Sequence, residues 1–232
     1  MKILLTGATG YIGKRLLPNL LEAGHTVVCL VRDPRRVQEK YSNNDRVILV
    51  KADLLDISSL DKIPKDIEIA YYFVHSMGAS SESFAKLERN SAENFVNTIN
   101  RTQAKQIIYL SGIIDQEAML SKHLSSRLNV ENILQKANAK FTILRAAIII
   151  GSGSGSFEII RDLAEKLPIM ITPKWLKTKC QPIAVKNVIE YLLGVMNQPV
   201  AFNKIYDIGG PDILTYKEMI LGYAKVRGLQ RF

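Results

Sequence analysis

Short apolar runs and longer amphipathic stretches alternate along most of the chain. Residues 2–6, 26–31, 46–50, 67–74 and 106–110 are rich in Val, Ile, Leu and Tyr, and 141–150 contains another such run. Each has strand length and is almost continuously apolar, the pattern of a strand covered on both faces. Between them, apolar residues recur at helical spacing. Ile12, Leu16, Leu17, Leu20 and Leu21 line one face after the first run; Phe84, Leu87, Ala92, Phe95, Val96 and Ile99 do so within 80–102. A further helix is predicted over 121–137. Pro18 falls inside the first helix, where it removes a hydrogen bond and is expected to kink or loosen a turn. Alternating strands and helices predict an α/β fold with a doubly wound parallel sheet, order 3-2-1-4-5-6. Its ligand is expected across the carboxyl ends of the strands.

Beyond residue 150 the pattern is less regular. Residues 151–156 read GSGSGS, which in isolation is a flexible-linker composition. The stretch is short and lies between an apolar strand and an amphipathic helix over 157–167, so a strand-end loop is expected instead. Pro168, Pro173 and Pro182 punctuate the next segment. A helix over 185–196, a strand over 204–208 and a last helix capped by Thr215 and running to about Arg227 complete the reading. The predicted organisation is a sheet domain over 1–150 that carries the ligand site and a small substrate-side lobe over 151–232 packed on it. Met170 and Trp175 are read as core of that lobe in preference to a platform for substrate.

The first fifteen residues carry the chemistry. Gly7, Gly10 and Gly13 follow the first strand and open the first helix at the spacing G-x-x-G-x-x-G. Such a turn presents helix N-terminal N–H groups and the positive dipole end to a phosphate. Gly7 suits the tight turn, Gly10 lets a pyrophosphate approach the backbone, and Gly13 lets the helix pack closely on the strand. Thr9, Tyr11 and Ile12, within the same turn, are candidate cofactor contacts. The expected architecture is thus a Rossmann sheet binding NAD(P).

Length and composition narrow the alternatives. The 232 residues, 47% hydrophobic, suit one α/β domain or one domain with a small lobe. No apolar run reaches transmembrane length and no signal-peptide pattern precedes the first strand. Cys29 and Cys180 match no metal spacing and fit a reducing, cytoplasmic setting. The net charge of +9 is scattered, without the basic run and interleaved aromatics of a nucleic-acid surface.

Several segments resemble the short-chain dehydrogenase/reductase superfamily in its extended or atypical branch: TGATGYIG at 6–13, Asp53-Leu54, Tyr109-Leu110-Ser111, Leu144-Arg145-Ala146, and IYDIGG at 205–210. More narrowly, YYFVHSMG (71–78), SKHLSSR (121–127), IIIGSGSGSFEIIR (148–161) and QPIAV (181–185) resemble a bacterial group of NAD(P)-binding, nucleoside-diphosphate-sugar-epimerase-like proteins. The resemblance implies a small-molecule substrate, hydride transfer, and often a further C-terminal domain; the family name supplies no reaction.

NAD-specific sites of this kind place a carboxylate at the end of the second strand. Here Val31 is followed by Arg32, which would repel nothing on a 2′-phosphate and could pair with it, so NADP is favoured over NAD. Arg35 or Arg36 could add a second contact. The resemblance places Asp53 at the adenine, with Leu54 beside it; Asp53 could equally cap a helix beginning near Asp56. Val74, His75 and Ser76 fall where the family approaches the cofactor ribose, and Ala146 ends the sixth strand. Arg145 is open to two roles, anchoring an anionic substrate or forming an ion pair.

The family's catalytic pair is a Tyr with a Lys four residues later. None of the nine tyrosines has Lys at that spacing. His123 and Arg127 occupy the matching positions, and Ser111 matches the family Ser that holds a substrate carbonyl. Imidazole could supply a proton near neutral pH. Arg127 could hold a ribose but not shuttle protons, its pKa lying above ~12. Alternatively the pair is structural, and the protein is a nucleotide-binding sensor or assembly factor, as in relatives resembling transcriptional co-regulators and the accessory subunit of respiratory complex I.

Overall fold

The computed structural model describes residues 1–74, 81–113, 122–167 and 174–230, with the side chains of 81–83, 122–124 and 174 left aside. The first β-α-β unit is β1 (Lys2–Thr6), α1 (Gly13–Glu22) and β2 (Thr26–Val31). Then come α2 (Glu39–Ser42), β3 (Val47–Lys51), β4 (Ile69–Tyr72), α3 (Ser81–Ile99), β5 (Gln106–Gly112), α4 (Lys122–Leu134) and β6 (Lys140–Ala146). The remainder is β7 (Ile149–Ile150), α5 (Gly155–Lys166), β8 (Lys179–Cys180), β9 (Ile183–Ala184), α6 (Val185–Gly194), β10 (Lys204–Ile208), β11 (Leu214–Thr215) and α7 (Tyr216–Val226).

Seven strands form one sheet in the order β10-β6-β5-β4-β1-β2-β3, which is the predicted 3-2-1-4-5-6 with β10 added beyond β6. The pairs β1–β2, β1–β4, β2–β3 and β4–β5 are parallel. Ile3, Leu4, Leu5, Val27, Val28 and Cys29 are wholly buried, as continuous apolar runs between two helical layers must be. Burial pushes the Cys29 thiol up to about 12, so it behaves as a small apolar residue. Leu16, Leu17, Leu20 and Leu21 are the buried face of α1, which runs unbroken through Pro18. On the α3–α4 side the core is partly aromatic. Tyr72 packs on Phe95 and Tyr109 with centroids 4.8 and 5.7 Å apart.

The chain divides into two compact units, 1–145 with 189–206, and 146–188 with 207–232. This division differs from a single cut after residue 150. One buried side chain explains the return of 189–206 to the sheet. Gln106 opens β5 with no exposed surface. Its Nε2 donates to Thr142 Oγ1 (2.8 Å) and to the Val195 carbonyl (3.0 Å), while its Oε1 accepts from the Asn197 N–H (2.7 Å). Thr142 Oγ1 in turn donates to the Ala201 carbonyl, and the buried Tyr71 hydroxyl donates to the Leu192 carbonyl, both at 2.8 Å. A buried amide needs these partners, and two of the three, Val195 and Asn197, lie about ninety residues downstream.

In the second unit β7 pairs with β9 and β8 with β11. Ile160, Ala164, Leu176, Met219, Ile220 and Ala224 make its core. GSGSGS is an ordered turn rather than a linker. Gly153 takes φ +83°, its N–H donates to Glu158 Oε1 (2.8 Å), and Ser154 Oγ donates to the Ile149 carbonyl (2.7 Å) before α5 begins at Gly155. Thr215 caps α7 as predicted, and Glu218 reciprocates in a capping box. Trp175 corrects its assignment to the core: it is 46% exposed and lies edge-on to Tyr216, centroids 5.5 Å apart. Met170 lies outside the described residues. No helix among the described residues is long and apolar enough to cross a membrane.

Gln106→Leu should lower the unfolding free energy by about 1–2 kcal/mol, because it removes the hydrogen bonds of a buried amide and leaves the partly buried Val195 carbonyl and Asn197 N–H without this partner. Chemical denaturation beside the wild type measures it; an unchanged midpoint would mean that water reaches these groups.

Candidate functional site

The turn after β1 is built around its own backbone. Thr6 Oγ1 donates to the Tyr71 carbonyl and accepts from the Phe73 N–H, both at 3.0 Å, lashing the end of β1 to β4. Gly7 has φ +70°, and a Cβ there would overlap the Phe73 carbonyl oxygen. A Cβ at Gly13 would overlap the Gly7 carbonyl oxygen and lie 2.8 Å from Ala8 Cα. Both glycines are therefore required by the protein's own packing. Gly10 differs. It is exposed, its N–H donates to the Gly7 carbonyl at 2.8 Å, and a Cβ there would meet only that same oxygen, at 3.1 Å. The close approach that Gly10 permits is an approach from outside.

The helix behind the turn keeps its positive end uncompensated by local side chains. Ile12 is the N-cap, no side chain caps it, and the first turn of α1 has no acidic residue. N–H groups and dipole thus face the turn. The Arg15 guanidinium stacks 3.9 Å from the Tyr11 ring centroid and donates to the Tyr11 carbonyl at 3.1 Å. Thr9 and Tyr11 are half-buried beside it. A phosphate-bearing dinucleotide fits this cradle.

Parallel strands bring their carboxyl ends to one edge, so the ends of β2 and β4 flank the turn and those of β3 and β5 lie next outward. At the end of β2, Val31 is in register with Lys51 of β3. Arg32, Arg36 and Lys51 are exposed there. Arg35, a candidate second contact, is paired on the surface with its neighbour Asp33. Its Nε and Nη2 donate to the two Asp33 carboxylate oxygens at 2.9 and 3.0 Å. That hydrogen bonding holds the Asp33 carboxyl below its usual range, with Lys51 adding to the effect. Lys51 was not legible as a site residue; its signal is the register with Val31, which needs the sheet.

The two roles open to Asp53 separate in the structure. Asp56, not Asp53, caps the 3-10 turn at 57–62, accepting from the Ser58 N–H at 3.1 Å. Asp53 instead accepts from the Leu55 N–H at 3.0 Å, and its own N–H is bound by Ser59 Oγ at 2.9 Å. Leu54 is buried and its carbonyl accepts from Asn94 Nδ2 at 2.7 Å, an anchor that sequence reasoning missed.

Ser111 lies buried at the end of β5, two residues beyond Tyr109 on the same strand face. Burial pushes the Tyr109 phenol up to about 12, while the positive charge of Arg127 pulls the other way. Ser126 Oγ donates to Glu88 Oε2 at 2.6 Å inside the α3–α4 layer. Arg145 resolves as an ion pair: Nη2 lies 2.6 Å from Glu131 Oε2, with Nε 3.1 Å from Oε1. His123 sits on α4 one turn before Arg127, and its side chain is outside the described residues, as are His75 and Ser76 altogether. Val74 is half-buried against the core, and Ala146, buried, ends β6. Among the described residues no cluster of His, Cys, Asp or Glu is placed to hold a metal ion.

Comparison with known proteins agrees with this geometry. The family described as NAD(P)H-binding matches residues 7–172. Divinyl chlorophyllide a 8-vinyl-reductase of Arabidopsis thaliana is 20% identical over 226 residues, covering 91% of this chain and 54% of its own length. Ceramide reductase of Caulobacter vibrioides is 25% identical over 232 residues, covering 97% and 70%. The chain thus spans about half the length of the vinyl-reductases it matches. Among solved structures, UDP-glucose 4-epimerase of Thermotoga maritima, with UDP-glucose, superposes over 100% of this chain and 84% of its own, with a TM-score of 0.78 and 15% identity. That likeness is one of fold.

Gly10→Val should leave the melting temperature near that of the wild type and weaken dinucleotide binding roughly a hundredfold or more, equivalent to about 2.7 kcal/mol. Gly13→Ala should instead lower the melting temperature. Dinucleotide titration beside thermal melts distinguishes the two, and a folded Gly10→Val protein with full affinity would remove the turn from the site.

Proposed function

The chain belongs to the NAD(P)H-binding family, and on that premise we propose that it is an atypical, NADP-dependent oxidoreductase that reduces a small substrate in a reducing, cytoplasmic setting. The observation that carries the reading is the asymmetry among the three glycines. Gly7 and Gly13 are closed off by protein atoms, whereas Gly10 faces outward over an uncompensated helix N-terminus. The names of the two relatives favour net reduction over the transient oxidation of an epimerase.

NADP is favoured over NAD by charge. Arg32, Arg36 and Lys51 stand exposed at the ends of β2 and β3. No carboxylate ends β2 itself, where Val31 stands, and the nearby Asp33 lies in a surface ion pair with Arg35. Asp53 and Leu54 would hold the adenine; Gly7, Thr9, Gly10, Tyr11, Ile12 and Gly13 the pyrophosphate; and Val74, His75 and Ala146 the nicotinamide side. When bound, the cofactor supplies a hydride. Arg127 holds the nicotinamide ribose, Ser111 orients the acceptor group, and His123 gives the proton that balances the hydride. The missing Tyr and Lys at the family spacing favour a second reading, a dinucleotide-binding sensor or assembly factor that does not turn over.

Arg32→Ala should weaken NADPH roughly ten- to hundredfold and leave NADH nearly unchanged, since only NADPH carries the 2′-phosphate. Equal losses for both cofactors would show that Arg32 is not the phosphate ligand.

If His123 is the acid, turnover falls as pH rises through the imidazole pKa, about 6–7 when unperturbed. NADPH consumption against aldehydes, ketones, quinones and nucleotide sugars finds the substrate, and a pH–rate profile then compares wild type with His123→Phe. Turnover that survives in the variant with the same profile removes His123 as the acid; no turnover on any substrate favours the sensor.

A further inference from the structure

Two full charges are buried beneath α4. Glu131 has no exposed surface and the Arg145 side chain is 13% exposed. A buried ion pair stabilises a fold little more than well-packed apolar residues of the same volume, because desolvation offsets the attraction. What it supplies is direction. The Arg145 guanidinium grips Glu131 through Nη2 at 2.6 Å and through Nε at 3.1 and 3.2 Å. This fork fixes both the rotation of α4 about its axis and its height against β6. A second lash, Ser126 to Glu88, ties the same helix to α3 at 2.6 Å.

Residues 123, 127 and 131 form one row at i, i+4 spacing on α4. Glu131 is the rear of the row whose front carries His123 and Arg127, and Ser126 adjoins Arg127. The two lashes bracket Arg127. We propose that Glu131 and Arg145 are positioning residues, which set α4 so that Arg127 meets the nicotinamide ribose. The inference rests on the functional reading above, in which Arg127 holds that ribose. It adds that a pair remote from the glycine turn governs the nicotinamide half of the cofactor and leaves the adenosine half alone.

The test compares NADPH with adenosine 2′,5′-bisphosphate, which contains the adenosine half with its 2′-phosphate and lacks the nicotinamide riboside. In the double variant Glu131→Leu with Arg145→Met, an apolar pair replaces the ions. It should melt close to the wild type, whereas either single change, leaving one buried charge, should melt lower. The double variant should bind NADPH and NADH at least tenfold more weakly and the bisphosphate as the wild type does. Glu131→Gln, which keeps the side chain's size but disrupts the fork, should show the same selectivity with a three- to fivefold loss, and it decides the matter if the double variant fails to fold. A folded variant that binds NADPH with wild-type affinity overturns the inference, and so does a parallel loss of both ligands, which a merely structural pair would give. Absence of NADPH binding by the wild type overturns instead the functional reading on which the inference stands.

Discussion

The carbonyl oxygen of Gly7 fixes the N-terminal half of the molecule. It accepts the Gly10 N–H, closing the turn, and it occupies the space a Cβ at position 13 would need. The start of α1 can therefore come down on the end of β1 only with glycine at 13. Gly7 itself lies against the Phe73 carbonyl, so β4 takes part in the same close packing, and Thr6 secures the contact from the strand side. One oxygen atom thus determines where the helix begins, which way its N–H groups point, and how close an anion can come.

Away from the turn, polar atoms in the interior decide what packs where. The apolar residues of β4 and β5 would tolerate many neighbours, since hydrophobic contact is non-directional. Gln106, Thr142 and the Tyr71 hydroxyl would not, because each requires a particular carbonyl or N–H. The α3–α4 side follows the same rule with charges, Glu88 on Ser126 and Glu131 on Arg145. Burial there is costly, and the return is a single arrangement of helices rather than a family of similar ones.

Much of this was legible in the chain itself. Period and length identified the strands and their order, because a continuous apolar run of strand length between helices has few alternatives. The glycine spacing located the turn, and Thr215 located the start of the last helix. What stayed hidden depended on register or on distant partners. Lys51 joins the β2 end only because Val31 faces it across the ladder. The surface pairing of Arg35 with Asp33, through Nε and Nη2, likewise has no signature in the sequence. Asp56 rather than Asp53 caps the following turn through a hydroxyl and an N–H two residues on, and both acids are compatible with the local sequence. Trp175 read as core because large aromatics usually are, yet its ring is edge-on to Tyr216 with nearly half its surface exposed.

The discontinuity of the sheet unit bears on how the chain is made. A ribosome releases residues 1–145 well before 189–206, and until the later segment emerges Gln106 has neither the Val195 carbonyl nor the Asn197 N–H to satisfy it. Six strands can be present while the interior is still incomplete. Vectorial synthesis therefore cannot finish the first unit before it has produced residues 146–188, the part of the second unit that lies between the two parts of the first. The sheet unit is completed only by contacts across about ninety residues, a separation that slows folding and prolongs the exposure of interior groups.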